Sequence, residues 1–155
     1  MKSSGLIDEF CDALWLEDGL AKNTLEAYRR DLTQFATWLR ERHGRSLLEG
    51  DNGNIQAYLG HLFRKKTRAT SAARFLSSLK RFYRYSLRQG RIKADPTLKI
   101  DTPKLPRSLP RSLTEEDVES LLTAPAVEQA LGLRDKAMLE TLYASGLRVS
   151  ELVTL

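Results

Sequence analysis

A single cysteine, Cys11, leaves the chain unable to close an internal disulfide, which suits a reducing compartment such as the cytoplasm. Long hydrophobic runs are also missing. No apolar stretch approaches the roughly 18 residues that a membrane-spanning helix needs, and the N-terminal segment sets Asp8 and Glu9 where a signal peptide requires an unbroken apolar run. With two histidines and one cysteine there is no cluster at metal-ligand spacing, and no glycine-rich phosphate loop occurs, so no metal or other cofactor is expected. Nor does any segment alternate apolar and polar residues for long enough to read as a strand.

Acid is the most telling absence. Between Asp51 and Asp95 there is none, while eleven basic residues fall in the interval: Arg64, Lys65, Lys66, Arg68, Arg74, Lys80, Arg81, Arg84, Arg88, Arg91 and Lys93. Ordinary solvated faces intersperse the two signs, so this stretch points to a phosphate backbone. A membrane surface is the weaker competitor, because the aromatics here fall on the helical core stripe.

What is present is helical periodicity. Leu6, Ile7, Phe10, Leu14 and Trp15 form one apolar stripe that stops at Gly19, with Cys11 beside it as a core residue. Leu25, Tyr28, Leu32, Phe35 and Leu39 form a second, with Asn23 and Glu26 as a capping box and Gly44 as the stop. Asp51 or Asn52 opens a third, with Ile55, Leu59, Leu62 and Phe63 inward, and Thr70 or Ser71 opens a fourth, carrying Ala72, Leu76, Leu79, Phe82, Tyr83 and Leu87 to Gly90. Four short-looped amphipathic helices can share one core, which predicts a helical domain over residues 1–95.

Pro96, Pro103, Pro106 and Pro110 then favour extended chain, predicting a linker over 96–112. Its Lys104, Arg107 and Arg111 either follow a nucleic-acid backbone or are simply solvated. A second domain begins at 113. Thr114 caps Glu115, Glu116 and Asp117 at the positive end of a helix that Pro125 ends, with Val118, Leu121 and Leu122 on its apolar side. A further helix runs from Leu133 to Ala144, with Ala137, Met138 and Leu142 inward and Tyr143 as another candidate. Gly146 ends it, Ser150 caps the next, and Arg148 sits in the turn between. On spacing alone Arg148 reads as a surface arginine paired with Glu151 or Glu140. About 45 residues are too few for an independent core, so this part is expected to be the beginning of a larger domain.

The block Leu133-Arg-Asp-Lys-Ala-Met-Leu-Glu-Thr-Leu-Tyr-Ala-Ser-Gly-Leu-Arg-Val-Ser-Glu-Leu152 resembles the first catalytic motif of the tyrosine site-specific recombinases, the phage integrase family. Asn23-Thr-Leu-Glu-Ala-Tyr-Arg-Arg-Asp-Leu32 resembles that family's core-binding domain. Asp95-Pro96, Pro103-Lys-Leu-Pro106 and Leu109-Pro110 resemble its linker. Ala13-Leu-Trp-Leu-Glu17 and the linker wording place the resemblance nearest the XerD branch of the Xer type. The resemblance implies an all-α fold: a four-helix SAM-like core-binding domain, a proline-rich linker, and the first helices of a catalytic domain. It implies a reaction in which a tyrosine attacks a DNA phosphodiester to give a 3′-phosphotyrosine, without ATP or metal. Arg148 matches the first of two catalytic arginines that stabilise the phosphorane.

The other catalytic residues are expected beyond Leu155, so these residues alone would hold DNA and not cut it. None of Tyr28, Tyr58, Tyr83, Tyr85 and Tyr143 stands where the family keeps its nucleophile. His61-Leu-Phe-Arg64 spells the family's later His-x-x-Arg motif, but it precedes Arg148 and its middle residues lie on the core stripe, so it reads as structural. His43 reads as a helix-end residue. By the same resemblance the second and fourth helices enter adjacent major grooves of double-stranded DNA. The matching positions are Lys22, Asn23, Thr24, Arg29, Arg30, Lys66, Arg68, Thr70, Ser71, Arg74, Lys80, Arg81 and Arg84. The partners implied are a recombination site, a second recombinase of the XerC type and a DNA translocase, acting at the nucleoid in chromosome dimer resolution. A stand-alone helical DNA-binding module or inactive remnant is the alternative, and a helical protein-interaction domain the third reading.

Overall fold

The computed structural model describes residues 3–101 and 112–155, and all regular structure within them is helical. Lys104, Arg107, Arg111, Pro103, Pro106 and Pro110 lie outside the described residues, so the extended-linker expectation at those positions is not addressed. The chain divides into two compact units, 1–106 and 107–155.

The first unit contains α1 (Ser3–Asp18), α2 (Lys22–His43), α3 (Asn52–Arg64) and α4 (Ala69–Arg88), with a 3-10 turn at Leu47–Glu49. Its core is built from one stripe of each helix. Ile7, Phe10, Leu32, Phe35, Leu39, Leu47, Ile55, Leu76, Leu79, Phe82 and Tyr83 are buried. Phe10 meets Phe82 edge-on at 5.5 Å, and Phe35 contacts Tyr58 at 5.0 Å and Phe75 at 5.6 Å. Such ring pairs add about 0.5–1.5 kcal/mol each beyond the area they bury. Cys11 is buried as expected of a core residue, and burial pushes its thiol pKa up, which leaves it inert.

The turn after α2 is held by a close approach. Tyr83 donates its hydroxyl to the Leu47 carbonyl at 2.8 Å, and a Cβ at Gly50 would stand 2.5 Å from that same hydroxyl oxygen. Glycine is required there for space, whereas Gly44, which closes α2 at φ 63°, is favoured by its backbone conformation.

Several local expectations differ from what is observed. Trp15, Phe63 and Leu87 are exposed, not core. Phe75 and Tyr85 are buried instead. α2 and α4 start at the N-caps Ala21 and Arg68 with no side-chain cap, so neither Asn23 nor Thr70 nor Ser71 performs that role. At α3 the choice falls on Asp51, which accepts from the Asn54 backbone N–H at 2.8 Å.

Residues 95–101 also differ from an extended linker. Thr97 and Ile100 are buried in the first unit. The Thr97 hydroxyl donates to Asp95 at 2.6 Å, and Asn52 donates to the Pro96 carbonyl at 3.2 Å. Proline here punctuates a turn that packs back on the helices.

Asp51 gives the first unit an acid-sensitive joint. The Asn54 N–H, then Arg45, hold its carboxyl below the ordinary value near 3.8. A depressed folded pKa means the stabilisation is present above about pH 4 and is lost as pH falls through the folded value. Asp51→Asn keeps a capping acceptor without the titration, so its melting temperature should fall less steeply than wild type between pH 5 and 2. Asp51→Ala should lose about 1 kcal/mol at neutral pH. Thermal melts followed by circular dichroism check both.

The second unit contains α5 (Glu115–Thr123), α6 (Ala130–Ser145) and α7 (Val149–Leu152). Thr114 and Asp117 form the expected capping box of α5. α6 begins three residues before the expected Leu133, and α7 is capped by Arg148, not Ser150. None of the described residues of this unit is buried; Ala137 and Tyr143, expected inward, are exposed.

Candidate nucleic-acid interface

The acid-free stretch is not acid-free in space. α1 carries Asp8, Glu9, Asp12, Glu17 and Asp18 and packs along the helical domain. Arg81 pairs with Asp18 at 3.0 Å, Arg88 with Glu17 at 2.6 Å and Arg91 with Glu9 at 2.5 Å. On α2, Arg29 pairs with Asp8 at 3.2 Å. Arg91 holds the Glu9 carboxyl below its ordinary range. Arg84 lines the same α1–α4 hollow beside Glu17 and Asp18, and Lys80 is half-buried on α4. Of the basic residues singled out in the sequence, Arg29, Arg81, Arg88 and Arg91 are therefore already paired with acids of α1.

The charge that is left concentrates elsewhere. Where α2, the end of α3 and the start of α4 converge, an open groove of about 610 Å³ is lined by Arg30, Thr37, Arg42, Lys65, Ser71 and Arg74, among others. Arg30, Arg42 and Lys65 have no ion-pair partner among the described residues, and Arg64, Lys66 and Arg68 crowd the adjoining α3–α4 turn. Lys66 sits at φ 54°, the one non-glycine residue with positive φ among those described, which closes that turn tightly. Thr70 is exposed beside it and Ser71 half-buried. Lys22 and Asn23, exposed, and Thr24, half-buried, occupy the first turn of α2, about 12 Å along the helix axis from Arg30.

The groove floor is aromatic. Trp38 lies 5.1 Å from the buried Tyr58 ring, and His61 stacks on Tyr58 at 5.9 Å. Burial raises the Tyr58 pKa to about 12. Partial burial, then Lys65, Arg64 and Arg42, push His61 below its ordinary value, so the ring is neutral at pH 7. These contacts give His61 a packing role, in keeping with the structural reading of His61-x-x-Arg64. Tyr58 and His61 thus add no charge to the groove, whose charged lining is Arg30, Arg42, Lys65 and Arg74 with the acids Asp31 and Glu41.

At the α2–α4 crossing, Arg74 donates from Nε to Asp31 Oδ2 at 2.9 Å and from Nη2 to Asp31 Oδ1 at 3.0 Å. Asp31 is itself buried. Sequence reading placed Arg30, Ser71 and Arg74 here but missed Arg42 and Lys65. Lys65 stood in the basic run; Arg42 gave no signal, because Glu41 precedes it.

Arg148 is built differently. Gly146 closes α6 at φ 66°, and Arg148 opens α7. Glu151 accepts from the Arg148 backbone N–H at 2.8 Å and from its Nη1 at 3.0 Å, while the guanidinium side chain remains 82% exposed. The pairing with Glu151, and not Glu140, is the one observed; Glu140 faces Lys136 at 3.9 Å. The arginine is anchored at its backbone and presented to solvent.

Among the described residues no group of three or more His, Cys, Asp or Glu is disposed to hold a metal, and no helix is long and apolar enough to cross a membrane. Tyr83 is fully buried with its hydroxyl committed to Leu47. The arrangement suits holding an anionic polymer: fixed cations and hydroxyl donors.

Comparison with known proteins agrees with that chemistry. Residues 7–90 match the phage integrase N-terminal SAM-like domain, and residues 111–155 match the phage integrase family. Tyrosine recombinase XerD of Pseudomonas aeruginosa is 59% identical over 154 residues, covering 97% of this chain and 50% of that protein. The Pseudomonas putida protein of the same name is 51% identical over 150 residues, covering 97% and 50%, and that of Ralstonia nicotianae 48% over 153 residues, covering 99% and 49%. The chain spans about half the length of the curated relatives it matches.

Proposed function

We propose, from the premise that this chain belongs to the phage integrase family, that its first unit grips double-stranded DNA and its second contributes one arginine to strand cleavage. The observation that carries the first half is the groove between α2, α3 and α4, where Arg30, Arg42 and Lys65 converge without carboxylate partners among the described residues. Duplex phosphates are the polyanion such a groove fits, and Ser71 and Thr67 add neutral donors. Lys22, Asn23 and Thr24 at the start of α2, with Lys66, Arg68 and Thr70 beside the α3–α4 turn, extend the footprint along the backbone. Arg29, Arg81 and Arg84 contribute less, because the acids of α1 face that side, and Lys80 stands half-buried on α4.

Arg148 is the phosphate clamp of the second unit. A guanidinium presents two parallel donors to phosphate oxygens, and fixed donors of this kind stabilise charge as it develops on a phosphorane. The whole recombinase would join DNA through a 3′-phosphotyrosine, at a recombination site shared with a second recombinase of the XerC type and under a DNA translocase, in the cytoplasm at the nucleoid. In that protein residues 1–101 form the DNA-binding domain, with the linker following and the catalytic domain starting near residue 113.

The test is salt dependence. Fluorescence anisotropy of the chain on a labelled 30-base-pair duplex should show the logarithm of the association constant falling linearly with the logarithm of salt concentration. A slope of about −4 to −6 is expected for five or six neutralised phosphates. Absence of binding at low salt would remove the DNA reading and favour a protein-interaction domain.

A further inference from the structure

Two acids line a groove otherwise suited to phosphate: Glu41, which is exposed, and Asp31, which is buried. A buried carboxylate in such a place lowers the positive potential a phosphate would meet, so its field alone works against DNA binding. Its geometry works the other way. Asp31 on α2 takes Nε and Nη2 of Arg74 on α4 side-on, at 2.9 and 3.0 Å. That fork fixes the guanidinium plane. It engages two of the five N–H donors of the arginine. Arg74 makes no other hydrogen bond among the described residues, and its side chain is 40% exposed on the groove wall. The Arg74 guanidinium is a permanent cation.

Resting on the reading of this groove as a DNA surface, we infer that Asp31 is a positioning residue for DNA binding. It holds the Arg74 guanidinium in place so that its remaining donors meet a phosphate oxygen without first losing side-chain freedom. The same carboxylate ties α2 to α4, so two of the three helices that line the groove are set by the residue that orients its donor.

The opposed signs of field and geometry make the test. Duplex affinity is measured by anisotropy for wild type, Asp31→Asn, Arg74→Lys and the double variant, with the folded fraction of each checked by circular dichroism. Asp31→Asn raises the net charge by one, so a purely electrostatic or purely structural role predicts equal or tighter binding by the folded protein. Positioning predicts binding weaker by about tenfold. Arg74→Lys keeps the charge but loses the fork, and should weaken binding to a similar degree. The double variant should be little worse than either single one, since both remove the same donor. Unchanged or tighter binding by Asp31→Asn, or additive losses, would overturn the inference. Should Asp31→Asn fail to fold, Arg74→Lys decides, and unaltered affinity there overturns it. Wild type that binds no duplex sinks the groove reading itself. Wild type that binds, with variants that bind equally well, sinks only the role of Asp31.

Discussion

In a recombinase that carries these residues with a complete catalytic domain, Arg148→Ala should reduce phosphotyrosine formation on a nicked duplex by about 10²–10³-fold. Binding of the same duplex should change by less than about threefold, because the groove of the first unit is intact. The separation follows from position. Arg148 is 82% exposed, its side chain pairs with Glu151, and it opens a four-residue helix, so no core contact among the described residues is lost with it. Arg148→Lys should recover a small part of the rate, since a lysine offers charge but not two parallel donors. Trapping the covalent adduct and resolving it on a denaturing gel measures the rate directly. Cleavage by Arg148→Ala at the wild-type rate would return the residue to the surface role that its spacing alone suggests.

The second large effect is on stability. Phe35→Ala should destabilise the first unit by about 3–5 kcal/mol, a substantial share of the 5–15 kcal/mol typical of a folded domain. Phe35 is fully buried and its ring meets Trp38, Tyr58 and Phe75, on three helices in all. Removing it leaves a cavity directly beneath the groove floor, so DNA affinity should fall along with the melting temperature. Leu98→Ala is the comparison: Leu98 is 80% exposed, and its loss should cost less than about 0.5 kcal/mol. Urea titration monitored by circular dichroism distinguishes the two.

Helix content and most of the core could be read from periodicity. Leu32, Phe35 and Leu39 on α2, and Leu76, Leu79, Phe82 and Tyr83 on α4, stand where the 3-4 spacing puts them, because each helix must bury one stripe against three neighbours. The misses sit at the edges of those stripes. Phe63 continues the α3 pattern into its final turn and is exposed, while Leu62 beside it packs against the core. Thr97 and Ile100 follow a proline and so read as linker, yet they pack inward, since a turn at Asp95 and Pro96 redirects the chain.

The site was legible in composition but not in space. Counting along the chain finds one acid-free basic stretch from Arg64 to Lys93, which points to a phosphate backbone. Folding brings the acids of α1 against the C-terminal half of α4 and cancels Arg81, Arg88 and Arg91. Net charge by sequence window cannot register a pairing across 63 residues, as between Asp18 and Arg81. The same folding gathers Arg30, Arg42 and Lys65, which are scattered in sequence, onto one groove.

That redistribution of charge is the central claim, and an equal-charge comparison tests it most directly. Arg30→Glu with Lys65→Glu reverses two groove cations; Arg88→Glu with Arg91→Glu reverses two cations on the α1 side. Both double variants shift the net charge by the same amount, so long-range electrostatics is matched. Anisotropy titration on one duplex at one salt concentration should show the groove variant weakened by at least about 100-fold and the other by less than about tenfold. Equal losses in the two, or a larger loss on the α1 side, would contradict the assignment of DNA to the groove between α2, α3 and α4.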